Sequence, residues 1–153
     1  MKFTKIIIFI AFFLNYLSYA QSKSCNLILI IDNKIVTQNL EMIFHSENLT
    51  DYKFQYSLGK ELNLNNDLLK NENVTLNFNY DGLYKDFVKT YKYNIDLKSG
   101  WINNTSYLII RIYNLDKKQF KKAFCKELKD YAVEVQNQSY IESNIVCKKI
   151  DRF

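Results

Sequence analysis

The stretch Val74-Thr75-Leu76-Asn77-Phe78-Asn79-Tyr80-Asp81-Gly82-Leu83 decides the fold. Val74, Leu76, Phe78 and Tyr80 alternate with Thr75, Asn77 and Asn79, the period of two that marks a strand with one buried face. After Asp81-Gly82, the residues Phe87, Tyr91, Tyr93, Ile95 and Leu97 again share one parity. Asp-Gly between two alternating segments predicts a two-residue hairpin turn, because glycine tolerates the positive φ such a turn demands. This register pairs Tyr80 with Leu83 and Leu76 with Phe87, with both apolar sets on one face. Tyr84 then lies opposite Asn79 on the polar face and is a candidate for surface binding.

The same period recurs on both sides. Upstream, Asn26–Ile31 is a continuous apolar run of strand length, suited to a strand covered on both faces, and Asp32-Asn33 is a turn signal before Ile35-Val36. Leu40, Met42 and Phe44 alternate with Glu41 and His45, and Tyr52, Phe54, Tyr56 and Leu58 with Lys53, Gln55 and Ser57. The Asn-rich residues 59–72 read as a loop, with one turn of helix near Asp67-Leu68-Leu69 at most. Downstream, Tyr107–Tyr113 is a second continuous apolar strand, and Tyr131, Val133 and Val135 alternate again. Residues 119–130 fit two patterns. Phe120, Phe124 and Leu128 recur every four residues, as in one short amphipathic helix with Lys121, Lys122, Lys126 and Lys129 outside. A short strand over Phe120–Phe124 is preferred because its neighbours are strands. The expectation is therefore all-β: an antiparallel β-sandwich, immunoglobulin-like or transthyretin-like, of eight or nine strands. Lys85, Lys89 and Lys92 are suited to guard an exposed edge, in a chain of 153 residues without proline.

Residues 1–20 read as a signal peptide. Lys2 and Lys5 precede the apolar run Ile6–Phe13, and Ser18 and Ala20 place small residues before a cut ahead of Gln21. Asn15 and the short run argue against a membrane-spanning anchor. Residues 21–153 are then a single domain in the periplasm or outside the cell. Losing the two leader lysines lowers the net charge from +5 to +3, too little to favour nucleic acid as a partner.

The three cysteines allow one intramolecular bridge in an oxidising compartment. Cys125–Cys147 is the preferred pair, closing a loop of roughly 23 residues worth about 3 kcal/mol. Cys25 is then a free thiol, and a bridge from Cys25 to Cys147 is the rival. A thiol nucleophile would need His45, the one imidazole, as its base. Three isolated glycines form no phosphate-binding loop, no ligand spacing suggests a metal, and the acids fall into no catalytic pair. No cofactor and no catalytic residue is expected. Trp101, after Ser99-Gly100, is a second candidate for surface contact. Asn48, Asn73, Asn103, Asn104 and Asn137 head Asn-X-Ser/Thr triplets, which carry sugar only in a eukaryotic host.

Poverty of catalytic residue types in an exported, aromatic-rich β-domain favours a non-enzyme, a binding domain whose partner is a protein or a polysaccharide. The alternatives are a secreted carboxylate-dependent hydrolase of glycans and an envelope structural protein or inhibitor.

Overall fold

In the computed structural model the alternation around Leu76 becomes one arm of a hairpin, β6 (Asn73–Tyr84) against β7 (Phe87–Lys98). The structure describes residues 24–47, 49–64, 68, 73–102, 105–124, 130–139 and 141–143. The expected hairpin is present, but its turn is not at Asp81-Gly82. The chain reverses at Lys85-Asp86, and Tyr84 pairs with Phe87, Tyr80 with Tyr91 and Leu76 with Ile95. Lys85 supplies the positive φ, at 54°. Gly82 stays in the strand for a different reason. A Cβ there would lie 2.8 Å from Cε1 of Tyr80 and 3.2 Å from Cε2 of Tyr91. The turn moves along the chain by four residues, an even number, so the inward set is unchanged up to Tyr80 and from Tyr91 onward.

The hairpin belongs to a four-stranded antiparallel sheet ordered β4-β3-β6-β7, with β3 at Leu40–His45 and β4 at Tyr52–Tyr56. Leu40, Met42, Phe44, Phe54, Tyr56, Val74, Leu76, Phe78, Tyr93, Ile95 and Leu97 point inward and are buried. The second sheet is ordered β10-β9-β8-β1-β2, with β5 also paired to β1. Its strands are β1 (Ser24–Ile31), β2 (Lys34–Ile35), β5 (Glu61–Asn63), β8 (Tyr107–Asn114), β9 (Tyr131–Asn137) and β10 (Ile141–Ser143). Leu27, Leu29, Ile31, Leu108, Ile110 and Ile112 meet the first sheet in one core. The molecule is thus an all-β sandwich with ten strands among the described residues.

Three local expectations change. β1 and β8, the two continuous apolar runs, pair in parallel, while every other described pair is antiparallel. Their outward residues Ile28, Ile30 and Ile109 are only half-buried, so neither strand is covered on both faces. Within the expected loop at 59–72, Glu61–Asn63 forms β5 and Leu62 and Leu64 enter the core. Finally, residues Lys118–Ala123 are a helix, α2, and not a strand; α1 is the short turn Ser99–Ile102. A strand would bury Lys122 between Phe120 and Phe124 on one face. The helix sends Lys122 outward and seats both rings on Tyr113, with centroids 5.3 and 5.1 Å away.

Two tyrosines tie the sheets together. Tyr56 of β4 is fully buried, and its hydroxyl donates to Val36 O at 3.1 Å and accepts from Leu29 N at 3.4 Å. Tyr131 of β9 reaches the open edge of β7, where its hydroxyl accepts from Asn94 N at 2.9 Å and donates to Asn94 O. That blocks the middle of a twelve-residue edge strand from pairing with another chain.

Candidate functional site

Two turns and the adjoining part of the β6–β7 hairpin meet at one end of the sandwich. The β1–β2 turn is Asp32-Asn33, with φ of 52° and 65°, the positive pair of a type I′ hairpin, which Asp and Asn tolerate. The β8–α2 turn carries Asn114, Asp116 and Lys117, and the β6–β7 hairpin carries Lys89, Tyr91 and Tyr93. A polar seam joins them. Asp32 Oδ1 accepts from Asn114 N at 2.8 Å, and Asp32 Oδ2 from Asn114 Nδ2 at 2.9 Å. Lys117 Nζ sits 2.7 Å from the same Oδ2. Asn114 Oδ1 accepts from the Tyr93 hydroxyl at 2.8 Å. Tyr93 stacks on Tyr91 at 6.3 Å, and the Tyr91 hydroxyl donates to Asp116 Oδ2 at 3.1 Å. Lys89 Nζ is 2.6 Å from that Oδ2 and 4.7 Å from the Tyr91 ring centre.

Burial pushes the Tyr91 and Tyr93 hydroxyls well above the usual tyrosine range, and the Asp116 carboxylate adds to the rise at Tyr91. Both therefore remain neutral donors. Asp32 is paired with Lys117 and Asp116 with Lys89, so the seam ties these segments together, while Asp116 Oδ1 is buried with no hydrogen-bond partner among the described residues.

Beyond the seam the hairpin continues into solvent. Leu83 pairs with Val88 on its outer face, and Tyr84 with Phe87 on its inner face. Leu83 is 68% exposed, Val88 67% and Phe87 55%. Phe87, expected opposite Leu76 in the core, is instead at the tip, because the turn lies further along the chain. Tyr84 meets Phe87 edge-on at 5.5 Å, with Lys85 and Lys89 Nζ at 5.4 and 5.2 Å from its ring centre. It is half-buried, and it faces Phe87, not Asn79. The signal missed in the sequence is that Leu83 and Val88 break the alternation: both are apolar at outward positions.

The other sequence candidates are dispersed. Trp101 is half-buried against the core, under Lys98 at 5.3 Å, and its carbonyl accepts from Asn137 Nδ2 at 2.8 Å. Asn137 is buried, and its Oδ1 also accepts from Ser139 N, so its amide is already engaged. Asn73 is exposed at the start of β6. Asn48, Asn103, Asn104, Cys125, Cys147 and the signal segment lie outside the described residues. His45 is exposed and 2.7 Å from Asp51. On the outer face of the four-stranded sheet, a groove of about 570 Å³ is lined by Gln38, Asn39, Asn77, Asn79, Asp81 and Thr90, among others. Among the described residues no cluster of three His, Cys, Asp or Glu forms a metal site, and no helix is long and apolar enough to cross a membrane.

Cys25 is a free, buried thiol beside β5, and Cys147, its partner in the rival bridge, lies outside the described residues. Burial, with the Glu61 carboxylate nearby, pushes it up to about 11. At pH 8 only about one molecule in a thousand then carries the thiolate, the reactive form. Native protein treated with iodoacetamide at pH 8 is expected to stay unmodified at Cys25 for hours, and to react within minutes in urea, as read by peptide mass. The raised value also makes the neutral thiol the favoured form in the fold. The stability this confers is full below pH 9 and declines as pH rises towards 11. Rapid native alkylation would show Cys25 to be accessible.

No family model, no curated protein and no solved structure gives a significant match to the chain.

Proposed function

We propose that the chain is an exported, non-catalytic interaction domain, acting in the periplasm or outside the cell, and that the end of the β6–β7 hairpin makes the contact. One observation carries this reading: Leu83, Phe87 and Val88 are each more than half exposed on a hairpin braced by a buried polar seam. Covering what remains open on each of them would contribute about 1–2 kcal/mol. A braced apolar tip is suited to contact, whereas the nearby carboxylates are held by Lys89 and Lys117. A polysaccharide offers hydroxyls and fits such a tip poorly. If one is bound, the amide-lined groove beside Asn77 and Asn79 is the better place for it.

The test compares wild type with the triple variant Leu83→Ser, Phe87→Ser, Val88→Ser. The variant should keep its stability within about 0.5 kcal/mol in urea titration. Immobilised wild type should retain envelope material that the variant does not. Equal retention by both would remove the tip from the contact. Turnover of a glycan, abolished by a single carboxylate substitution, would replace this reading with a hydrolase. N-terminal sequencing of the chain recovered from expressing cells should begin at Gln21; a start at Met1 would count against export.

A further inference from the structure

We infer that the hairpin tip dips into an anionic lipid surface, a conclusion that rests on the tip being the contacting surface. The first argument is two-sidedness. Leu83 and Val88 cover one face of the ribbon, and Tyr84 and Phe87 the other. A shallow protein groove covers one face of a strand pair. The acyl–headgroup boundary of a bilayer surrounds an inserted tip on all sides.

The second argument is reach. Lys89 is still tied to the body through Asp116, so the free part of the hairpin begins past the Gly82–Lys89 pair. Two further residue pairs extend roughly 7 Å at the rise of a strand. Interfacial segments bury their apolar side by about 5–10 Å, so the tip is of matching length.

The third argument is charge. Lys85 sits at the turn, and α2 follows Asp116, the residue that holds Lys89. Lys118, Lys121 and Lys122 are exposed on α2, and a depression of about 480 Å³ is lined by Lys117, Lys118, Gln119 and Lys122. An apolar point with Lys85 at its turn, and with the α2 lysines following the Asp116 that holds its base, complements anionic headgroups over a hydrocarbon interior. Tyr84 beside lysine ammonium groups is the kind of amphipathic ring that settles at that depth. Asp86, exposed at the turn, is the acidic residue within 83–88 and opposes insertion.

The experiment is vesicle co-sedimentation of the purified chain, with wild type and variants carrying the same sequenced N-terminus. One vesicle set holds phosphatidylglycerol at roughly one-third in phosphatidylcholine; the other is pure phosphatidylcholine. Wild type should bind the anionic set at least about tenfold more tightly. The Leu83→Ser, Phe87→Ser, Val88→Ser variant should lose about tenfold or more. Lys118→Gln, Lys121→Gln, Lys122→Gln should weaken binding to the anionic set alone, and Asp86→Asn should strengthen it about fivefold. The inference is overturned if wild type does not bind anionic vesicles, or if the tip variant binds them as wild type does. Should vesicle binding fail while the tip variant still loses a protein from envelope material, the partner is that protein and the contact reading survives. If neither changes, both fall.

Discussion

Asn114→Leu is expected to cost about 2–4 kcal/mol: leucine shares asparagine's branching and heavy-atom count, but its bulkier methyl groups must fit an almost fully enclosed site and make no hydrogen bonds. The substitution takes the acceptor from the Tyr93 hydroxyl and one donor from Asp32. Tyr93 is buried, so its hydroxyl has no water to turn to. Asp32 keeps Lys117 and the residue-114 backbone N–H, which limits the loss on that side. Urea unfolding measures the effect. A companion variant checks the cause. Adding Tyr93→Phe removes the stranded hydroxyl, so the double variant should be no less stable than Asn114→Leu alone, whereas Tyr93→Phe in wild type costs about 1 kcal/mol. A loss under about 0.5 kcal/mol for Asn114→Leu would show that the seam does not hold the turns together.

Phe44→Ala should be at least as severe, about 3–5 kcal/mol. Phe44 has no exposed surface, stands between Tyr52 of β4 and Leu76 of β6, and points into the core shared with the second sheet. Neither strand can close on the space it leaves without giving up its ladder. Against a total stability of about 5–15 kcal/mol, the variant is expected to be near the limit of folding. Phe44→Leu keeps most of the volume and should cost about 1–2 kcal/mol, so the site remains measurable if the alanine variant does not accumulate. Phe87→Ala gives the opposite result, a change below about 0.5 kcal/mol, because its ring is mostly in water already. Similar losses at Phe44 and Phe87 would contradict the inward and outward assignment of the two rings.

The β6–β7 hairpin shows which kinds of information the residues carry locally. Alternation through Val74–Tyr80 and Tyr91–Leu97 makes the inward face legible, because parity survives any even displacement of the register. Turn position is not protected in that way. Asp81-Gly82 has the composition of a turn, yet Gly82 is required for the space taken by the rings of Tyr80 and Tyr91. Ring placement depends on how β7 packs, which no local window contains. The turn actually made, Lys85-Asp86, has little local signal. The helix α2 was legible in principle, since Lys122 between two buried phenylalanines is incompatible with a strand.

Period and composition alone determined an all-β sandwich and most of its inward residues, because these follow from each residue's own side chain and its nearest neighbours. The parallel pairing of β1 with β8, the burial of Cys25 beside β5, and the meeting of Asp32, Asn114, Asp116, Lys89 and Tyr93 were decided only by the tertiary structure. Asp32 and Asn114 are 82 positions apart along the chain. Their contact depends on the global strand order, and so does the bracing that leaves Leu83, Phe87 and Val88 standing in water.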